Sequence, residues 1–488
     1  MPITLRIVSK AVTDVDAIGF GIGTEGSIPK GVGLNRKALA LHGFEGQQGQ
    51  TLTLPTPNGP TIVVVGLGDV SKRSAATVRD AAASLVRSAA NYGTLATTLV
   101  STEGVKMKSA AQAIAEGVVL GTYQYKGLKS DKTGGSKLTE VMLIVSAADA
   151  DVVAEAVATG ETIANATTLA RDLSNTPPAY MTATMLADTA VAIAARSGLG
   201  VEVIDNDKAR ELGLGGILGV NQGSVEPLRM VKLTYAPARP KGHVALIGKG
   251  VTYDSGGISL KPSDGMHAMM KMDMTGAAVV LAVMSTLQSL GVRTRVTAYL
   301  CCTDNLPSGS AFKLGDVLTI RNGKTVEILN TDAEGRLVMA DGLSLAAEEK
   351  PDALVDIATL TGAVMSALGQ KLAGVLGNNQ SWIDQVKSAS DRTNERVWQL
   401  PLQRDYRKLL DSNVADMKNV GGPYGGAILA ALFLDEFTDG IPWAHLDIAG
   451  TMNSDSDDGW ISRGATAFGT RLLIDLVSNF VKPTADKH

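Results

Sequence analysis

Strand-length runs of β-branched residues alternate with alanine-rich segments of helical period along nearly the whole chain. No other feature restricts the fold as much. Thr61-Ile-Val-Val-Val65 precedes a helical pattern over residues 74–87, and a second alanine-rich helix starts near Ser109, between apolar runs at 96–100 and 141–145. Strands apolar on both faces and separated by helices form mostly parallel sheets with helices packed on their faces. A long helical pattern then runs from Ala150 to about Leu173 and stops at Asn175-Thr-Pro-Pro178. Two prolines end a helix because each lacks an amide donor and its ring clashes with the preceding turn. The domain junction is placed along that helix, with a smaller α/β domain over residues 1–165 and a larger one over 166–488. In the second half, strands are predicted at 244–247, 292–302 and 354–358, and helices at 274–290, 337–349 and 428–437, around a central mixed sheet.

Charge and ligand chemistry narrow the function. Acidic residues number 49 against 45 basic, a formal charge of -4, which gives no support to a polyanion-binding surface. Histidine occurs only at positions 42, 243, 267, 445 and 488, and the two cysteines, Cys301 and Cys302, are neighbours in a strand-like run. H-E-x-x-H and C-x-x-C patterns are both absent, so a metal would have to be held mainly through oxygen. Gly21-Ile-Gly-Thr-Glu-Gly26 matches a dinucleotide fingerprint, but Pro29, Gly31 and Gly33 follow where that motif needs a helix. Residues 1–9 lack a basic start followed by an apolar stretch, and no apolar run nears the ~20 residues that span a bilayer, so a soluble, cytoplasmic protein is expected.

Two segments concentrate polar groups among glycines. The first is Gly248-Lys-Gly-Val-Thr-Tyr-Asp-Ser-Gly-Gly-Ile-Ser-Leu-Lys-Pro262, with Asp273 downstream, and Lys249 is read as lying in a glycine turn just after a buried strand. The second is Asn330-Thr-Asp-Ala-Glu-Gly-Arg-Leu337, where extended backbone would send Asp332, Glu334 and Arg336 to one side. Taken alone, that trio fits an ion-pair cluster before a helix as well as a metal-plus-anion site. Together with Asp254 and Asp273, however, there are too many carboxylates for one structural cation. They suit a pair of divalent ions about 3.5–4 Å apart.

At this point the segments resemble the leucine (cytosol) aminopeptidase family. Asn330-Thr-Asp-Ala-Glu-Gly-Arg336 is similar to its signature. Asn175-Thr-Pro-Pro178, Ala358-Thr-Leu-Thr-Gly362, Lys418-Asn-Val-Gly-Gly422 and His445-Leu-Asp-Ile-Ala-Gly450 extend the resemblance over roughly residues 170–475. It implies a catalytic second domain that releases N-terminal amino acids, Leu- and Met-like ones preferred, through water activated by two metals. By resemblance Asp254 and Glu334 bridge the metals, Asp332 completes the more exchangeable site, and Lys249, as a neutral amine, completes the tighter one with Asp273. Lys261 would stay charged and face the oxygen of the scissile carbonyl, and Arg336 would hold a bicarbonate acting as general base. Met270, Thr359, Leu360, Gly362, Ala449 and Met452 would line the pocket for the first side chain.

Further implications are zinc or manganese as the ions (cobalt or magnesium being acceptable to such donors), peptide substrates with a free N-terminus, a homohexamer and no membrane partner. One residue is added between Lys261 and Asp273 relative to the family pattern, which makes Asp264 a rival ligand, and Thr275 stands where glycine is commoner. His267, in the same methionine-rich stretch, is read as a polar loop residue. Two other readings compete with this one. A two-metal phosphoesterase should show histidine ligands and more basic groups than Lys261 and Arg336. A DNA-binding regulatory role is known among bacterial members of the family, but near-neutral charge does not favour it.

Overall fold

A computed structural model describes residues 3–10, 12, 14–130 and 135–485; His488 lies outside this set. Among the described residues no helix is long and apolar enough to cross a membrane. The chain forms two compact units, Met1–Thr168 with Ser454–Gly464 and Leu169–Asn453 with Ala465–His488. The boundary falls inside the helix Ala150–Asn175, and the late segment Ser454–Gly464 groups with the first unit.

The first unit is built on strands β1 (Thr4–Val8), β2 (Ala17–Gly23), β3 (Thr51–Leu54), β4 (Thr61–Gly68), β5 (Thr94–Thr97) and β6 (Glu140–Ile144), in sheet order β1-β6-β5-β2-β4-β3. Only the β3–β4 pair is antiparallel. The apolar run at 96–100, expected as one strand, is divided. β5 ends at Thr97, whose Oγ1 accepts the amide of Leu99, and Leu99–Ser101 turns as a short 3-10 helix. Helices Ala75–Ser88 and Met107–Thr122 pack tightly, since a Cβ on Gly117 would lie 2.3 Å from the Arg79 carbonyl. Arg79 and Glu116 form a buried ion pair of 2.6 Å.

In the second unit the strands are β7 (Gly200–Ile204), β8 (Arg229–Tyr235), β9 (His243–Asp254), β10 (Arg295–Asn305), β11 (Val317–Thr319) and β12 (Thr325–Glu327). β13 (Ala353–Ala358), β14 (Ala373–Gly377), β15 (Val397–Gln399), β16 (Met417–Lys418) and β17 (Trp443–Asp447) follow. Eight of them form one mixed sheet, ordered β15-β14-β17-β13-β9-β10-β8-β7, and β11-β12-β16 form a small second sheet. Within the large sheet β17, β13, β9 and β10 are mutually parallel, so their carboxyl ends lie at one edge, where α/β sheets bind ligands.

Two sequence expectations are corrected here. The strand at 244–247 does not give way to a glycine turn; β9 runs on through Gly248, Lys249 and Gly250 to Asp254. These glycines serve close packing rather than turning. A Cβ on Gly248 would sit 2.7 Å from Ala277 Cα, and one on Gly250 would sit 2.7 Å from the Cys301 carbonyl. The helix expected over 274–290 ends at Met284. Beyond it Ser285, Thr286 and Ser289 each donate a hydroxyl hydrogen bond to the carbonyl three residues back, which competes with continuation of the helix. Cys301 and Cys302 are buried free thiols in β10.

Candidate metal centre

Asp254 closes β9, so its carboxylate stands at the carboxyl edge of the sheet. The next residues fold back: Asp254 Oδ1 accepts the Gly256 amide at 2.9 Å, and Ser255 Oγ donates to the Asn305 carbonyl at 2.6 Å. Asp332 and Glu334 arrive from the loop before the helix Gly335–Glu348. They do not reach the site through extended alternation, as the sequence pattern suggested. Asn330 Oδ1 accepts the Asp332 amide at 2.9 Å, making a turn, and Glu334 already has helical backbone (φ -76°, ψ -35°). The turn and helix start swing both carboxylates inward, so that oxygens of Asp254, Asp332 and Glu334 lie within 4.8 Å of one another. Arg336, by contrast, is not grouped with them. It donates to the Asn419 carbonyl at 2.7 Å and lies 6.0 Å over the Phe433 ring.

Two lysines thread the cluster. Lys249 Nζ is 2.7 Å from Asp273 Oδ2, 2.9 Å from Glu334 Oε1 and 3.2 Å from the Thr359 carbonyl. Lys261 Nζ is 2.8 Å from Asp254 Oδ2 and also bonds Asp332. Gly335 makes room for Lys249, because a Cβ there would fall 2.5 Å from Lys249 Cε. Asp273 is buried, with Oδ1 accepting the Thr359 hydroxyl at 2.7 Å. Asp264 is exposed and outside the cluster, capping a short helix (Gly265–Met269) through the His267 amide.

Four carboxylates facing two ammoniums leave an excess of negative charge in a buried place. Burial, reinforced by the charge of Asp254, pushes Glu334 up to about 8; burial likewise raises Asp273 to about 6 and raises Asp332. For Lys249 burial works against the charge, but Asp273 and Glu334 prevail and hold the amine above its ordinary value; Asp254 does the same for Lys261. Burial lowers Arg336 to about 10. Two buried atoms report unmet demand: Glu334 Oε2 and Arg336 Nε have no hydrogen-bond partner. An acceptor oxygen without a donor in an anionic cluster fits a hard cation, and an unsatisfied guanidinium N–H fits an anion. The donor set therefore suits divalent ions held by oxygen.

The residues expected to line a side-chain pocket lie in three places. Met270 and Met452 pack with Met272 and Ala465, against Tyr253 and Met269. Thr359 bonds Asp273 and Lys249; Leu360 follows it; Gly362 opens the helix Gly362–Leu368, with free space where a Cβ would be. Ala449 packs with Val364 and Ala427. His267 lies on the short helix rather than a loop, stacked on Tyr253 at 5.8 Å, and His445 is buried against Asp356, Nδ1 to Oδ1 2.5 Å.

Several residues that shape the site carried no assigned role in the sequence reading. Asn305 Nδ2 holds Asp254 Oδ1 at 2.9 Å and the Thr331 carbonyl at 3.0 Å. Asn419 orders the signature loop through the Asn330 carbonyl, and Asn175 accepts the Ala465 amide while its own carbonyl accepts Lys271. Asp447 binds the loop after β13. Asn305 and Asp447 both end parallel strands, and that position was the signal available in the sequence.

Comparison with known proteins places the chain in a family. The catalytic-domain pattern of the cytosol aminopeptidase family matches residues 168–474, and its N-terminal-domain pattern matches residues 30–132. A probable cytosol aminopeptidase of Alkaliphilus metalliredigens is 40% identical over 461 residues, 92% of each chain. One from Leifsonia xyli is 41% identical over 490 residues, 97% of each chain. Among solved structures, the bottromycin maturation enzyme BotP in complex with Mn is similar with a TM-score of 0.87 and 39% identity, covering 95% of this chain and 99% of its own. With two matched domains and such identity over nearly its full length, the chain belongs to the cytosol aminopeptidase family.

Proposed function

We propose that this protein is a metal-dependent exopeptidase that removes N-terminal amino acids from peptides. The observation that carries the reading is the convergence of Asp254, Asp332 and Glu334 oxygens within 4.8 Å, with two lysines interleaved among four carboxylates. Asp254 and Glu334 would be shared between two ions, Asp332 would serve one, and Asp273 with Lys249 the other. When bound, such a pair supplies an activated water near neutral pH and polarises the substrate carbonyl. BotP is described in complex with Mn, which supports manganese as an ion these oxygen donors accept, alongside zinc.

The chain's own groups take the remaining roles. Lys261, kept charged by Asp254, would donate to the oxygen on which negative charge develops. Lys249 must lose a proton to ligate, so metal binding would release one. Arg336, with a free buried N–H, would hold a bicarbonate, whose chemistry is to carry the proton toward the leaving amine. Met270, Met452, Thr359, Leu360, Gly362 and Ala449 would receive the first side chain, with Leu- and Met-like residues preferred because methionines adapt to such shapes. The names of the relatives support a cytosolic location, and a homohexamer is the assembly to test by sedimentation. The decisive assay is hydrolysis of leucinamide against N-acetyl-leucinamide with added manganese or zinc. Only the free amine should be cleaved; equal cleavage overturns the proposal.

A further inference from the structure

Asp447 is the last residue of β17 and is fully buried. It has no place among the groups assigned to metal or catalysis, yet its two oxygens gather four donors. Oδ1 accepts the amides of Leu360 at 3.1 Å, Thr361 at 3.4 Å and Ala449 at 3.3 Å. Oδ2 accepts the Thr361 hydroxyl at 2.6 Å. That hydroxyl in turn accepts the Val364 amide at 3.1 Å and so caps the helix Gly362–Leu368. One carboxylate therefore ties the loop after β13 to the turn after β17, whose parent strands are neighbours in register, Ala358 opposite Asp447. The loop it grips begins at Thr359, which bonds both Asp273 and Lys249. The loop therefore borders the carboxylate cluster directly.

We propose that Asp447 is the positioning residue of the substrate pocket: by fixing residues 360–361 relative to Ala449, it sets the width of the wall that meets the substrate's first side chain. The inference rests on the aminopeptidase reading above. Asp447 also acts electrostatically on Arg336, so the test must separate bonding from charge. Asp447→Asn does this. Its amide oxygen keeps the backbone donors, and its Nδ2 donates to the Thr361 hydroxyl, but the charge is gone. Asp447→Ala removes both.

The experiment measures kcat and KM for leucine, alanine and phenylalanine p-nitroanilides with manganese, together with bound metal, for wild type and both variants. For Asp447→Ala we expect unchanged metal content, a KM for the leucine substrate raised about tenfold, and a leucine-over-alanine preference lowered about tenfold, within the range one well-shaped apolar pocket supplies. Asp447→Asn should restore both to within a few-fold. If both variants lower kcat alike with KM and preference unchanged, Asp447 acts by its charge on Arg336 or His445 and the proposal falls; loss of metal in Asp447→Ala overturns it equally. Should the alanine variant not fold, Thr361→Val, lacking only the hydroxyl, must shift the preference the same way, and an unchanged preference overturns the proposal. Wild type inactive on every substrate with a free amine would instead refute the aminopeptidase reading itself.

Discussion

Gly335→Ala tests the centre through a single methyl group. Gly335 is the first residue of its helix, and it appears nowhere among the residues with left-handed backbone, so alanine meets no conformational barrier. Helix propensity alone would favour alanine by up to about 1 kcal/mol. The new Cβ, however, would stand 2.5 Å from Lys249 Cε, 2.7 Å from its Nζ and 3.0 Å from Leu360 Cδ1. That is roughly 1 Å inside ordinary contact. Lys249 cannot yield freely, since Asp273, Glu334 and the Thr359 carbonyl hold its ammonium on the other side. Overpacking of this kind costs about 1–3 kcal/mol, so the net loss of stability should be small, on the order of 0–2 kcal/mol.

The functional loss should be much larger. Functional groups tolerate displacements of only about 0.5 Å, and Lys249 would move further than that. We expect affinity for one of the two ions to fall by at least the roughly 10–100-fold typical of disturbed outer-shell partners, with leucinamide turnover falling in parallel. The assay is metal titration in chelator-buffered manganese, with bound metal quantified after dialysis and a melting curve as control. A folded Gly335→Ala protein that binds both ions with wild-type affinity would falsify the assignment of Lys249 as a ligand.

Other expectations follow the same geometry. Asp273→Asn should cost metal affinity whereas Asp264→Asn, at an exposed cap, should not; bound-metal analysis decides between them, and the reverse result would exchange their roles. Lys261→Ala and Arg336→Ala should lower kcat by about 10²–10³-fold while retaining metal, and loss of both ions in either variant would place that residue in the ligand set instead. The pH dependence has a definite sign. Glu334 rises from 4.5 to about 8 on folding through burial, so the folded state binds the extra proton between those values and chelated protein should lose stability as pH climbs from about 4.5 to 8. Urea melts of wild type and Glu334→Gln in chelator read this as a widening gap across the window; parallel curves would contradict it. With saturating manganese the ion takes the proton's place, and wild-type stability should instead rise over the same window.

Periodicity determined much of this molecule, because strand and helix patterns record which face each residue buries and that is decided within a few neighbours. The alternating apolar runs announced two α/β units, and the acidic, histidine-poor signature left carboxylate oxygens as the donors to expect for any metal. Tertiary structure decided what depends on distant segments meeting. Lys249 looked like a turn residue because glycines flank it; only the packing of Ala277 and Cys301 against β9 shows that those glycines let a continuous strand lie close to a helix on one side and to β10 on the other. Asp332 and Glu334 converge through a turn that Asn330 and Asn419 enforce, not through the alternation of an extended chain. Asp447 meets Leu360 across 87 residues of sequence because β17 and β13 are neighbours in the sheet. Strand order is set by the burial of whole helices and crossovers, and no local pattern records it, so the residues that hold the site together stayed hidden until the sheet was assembled.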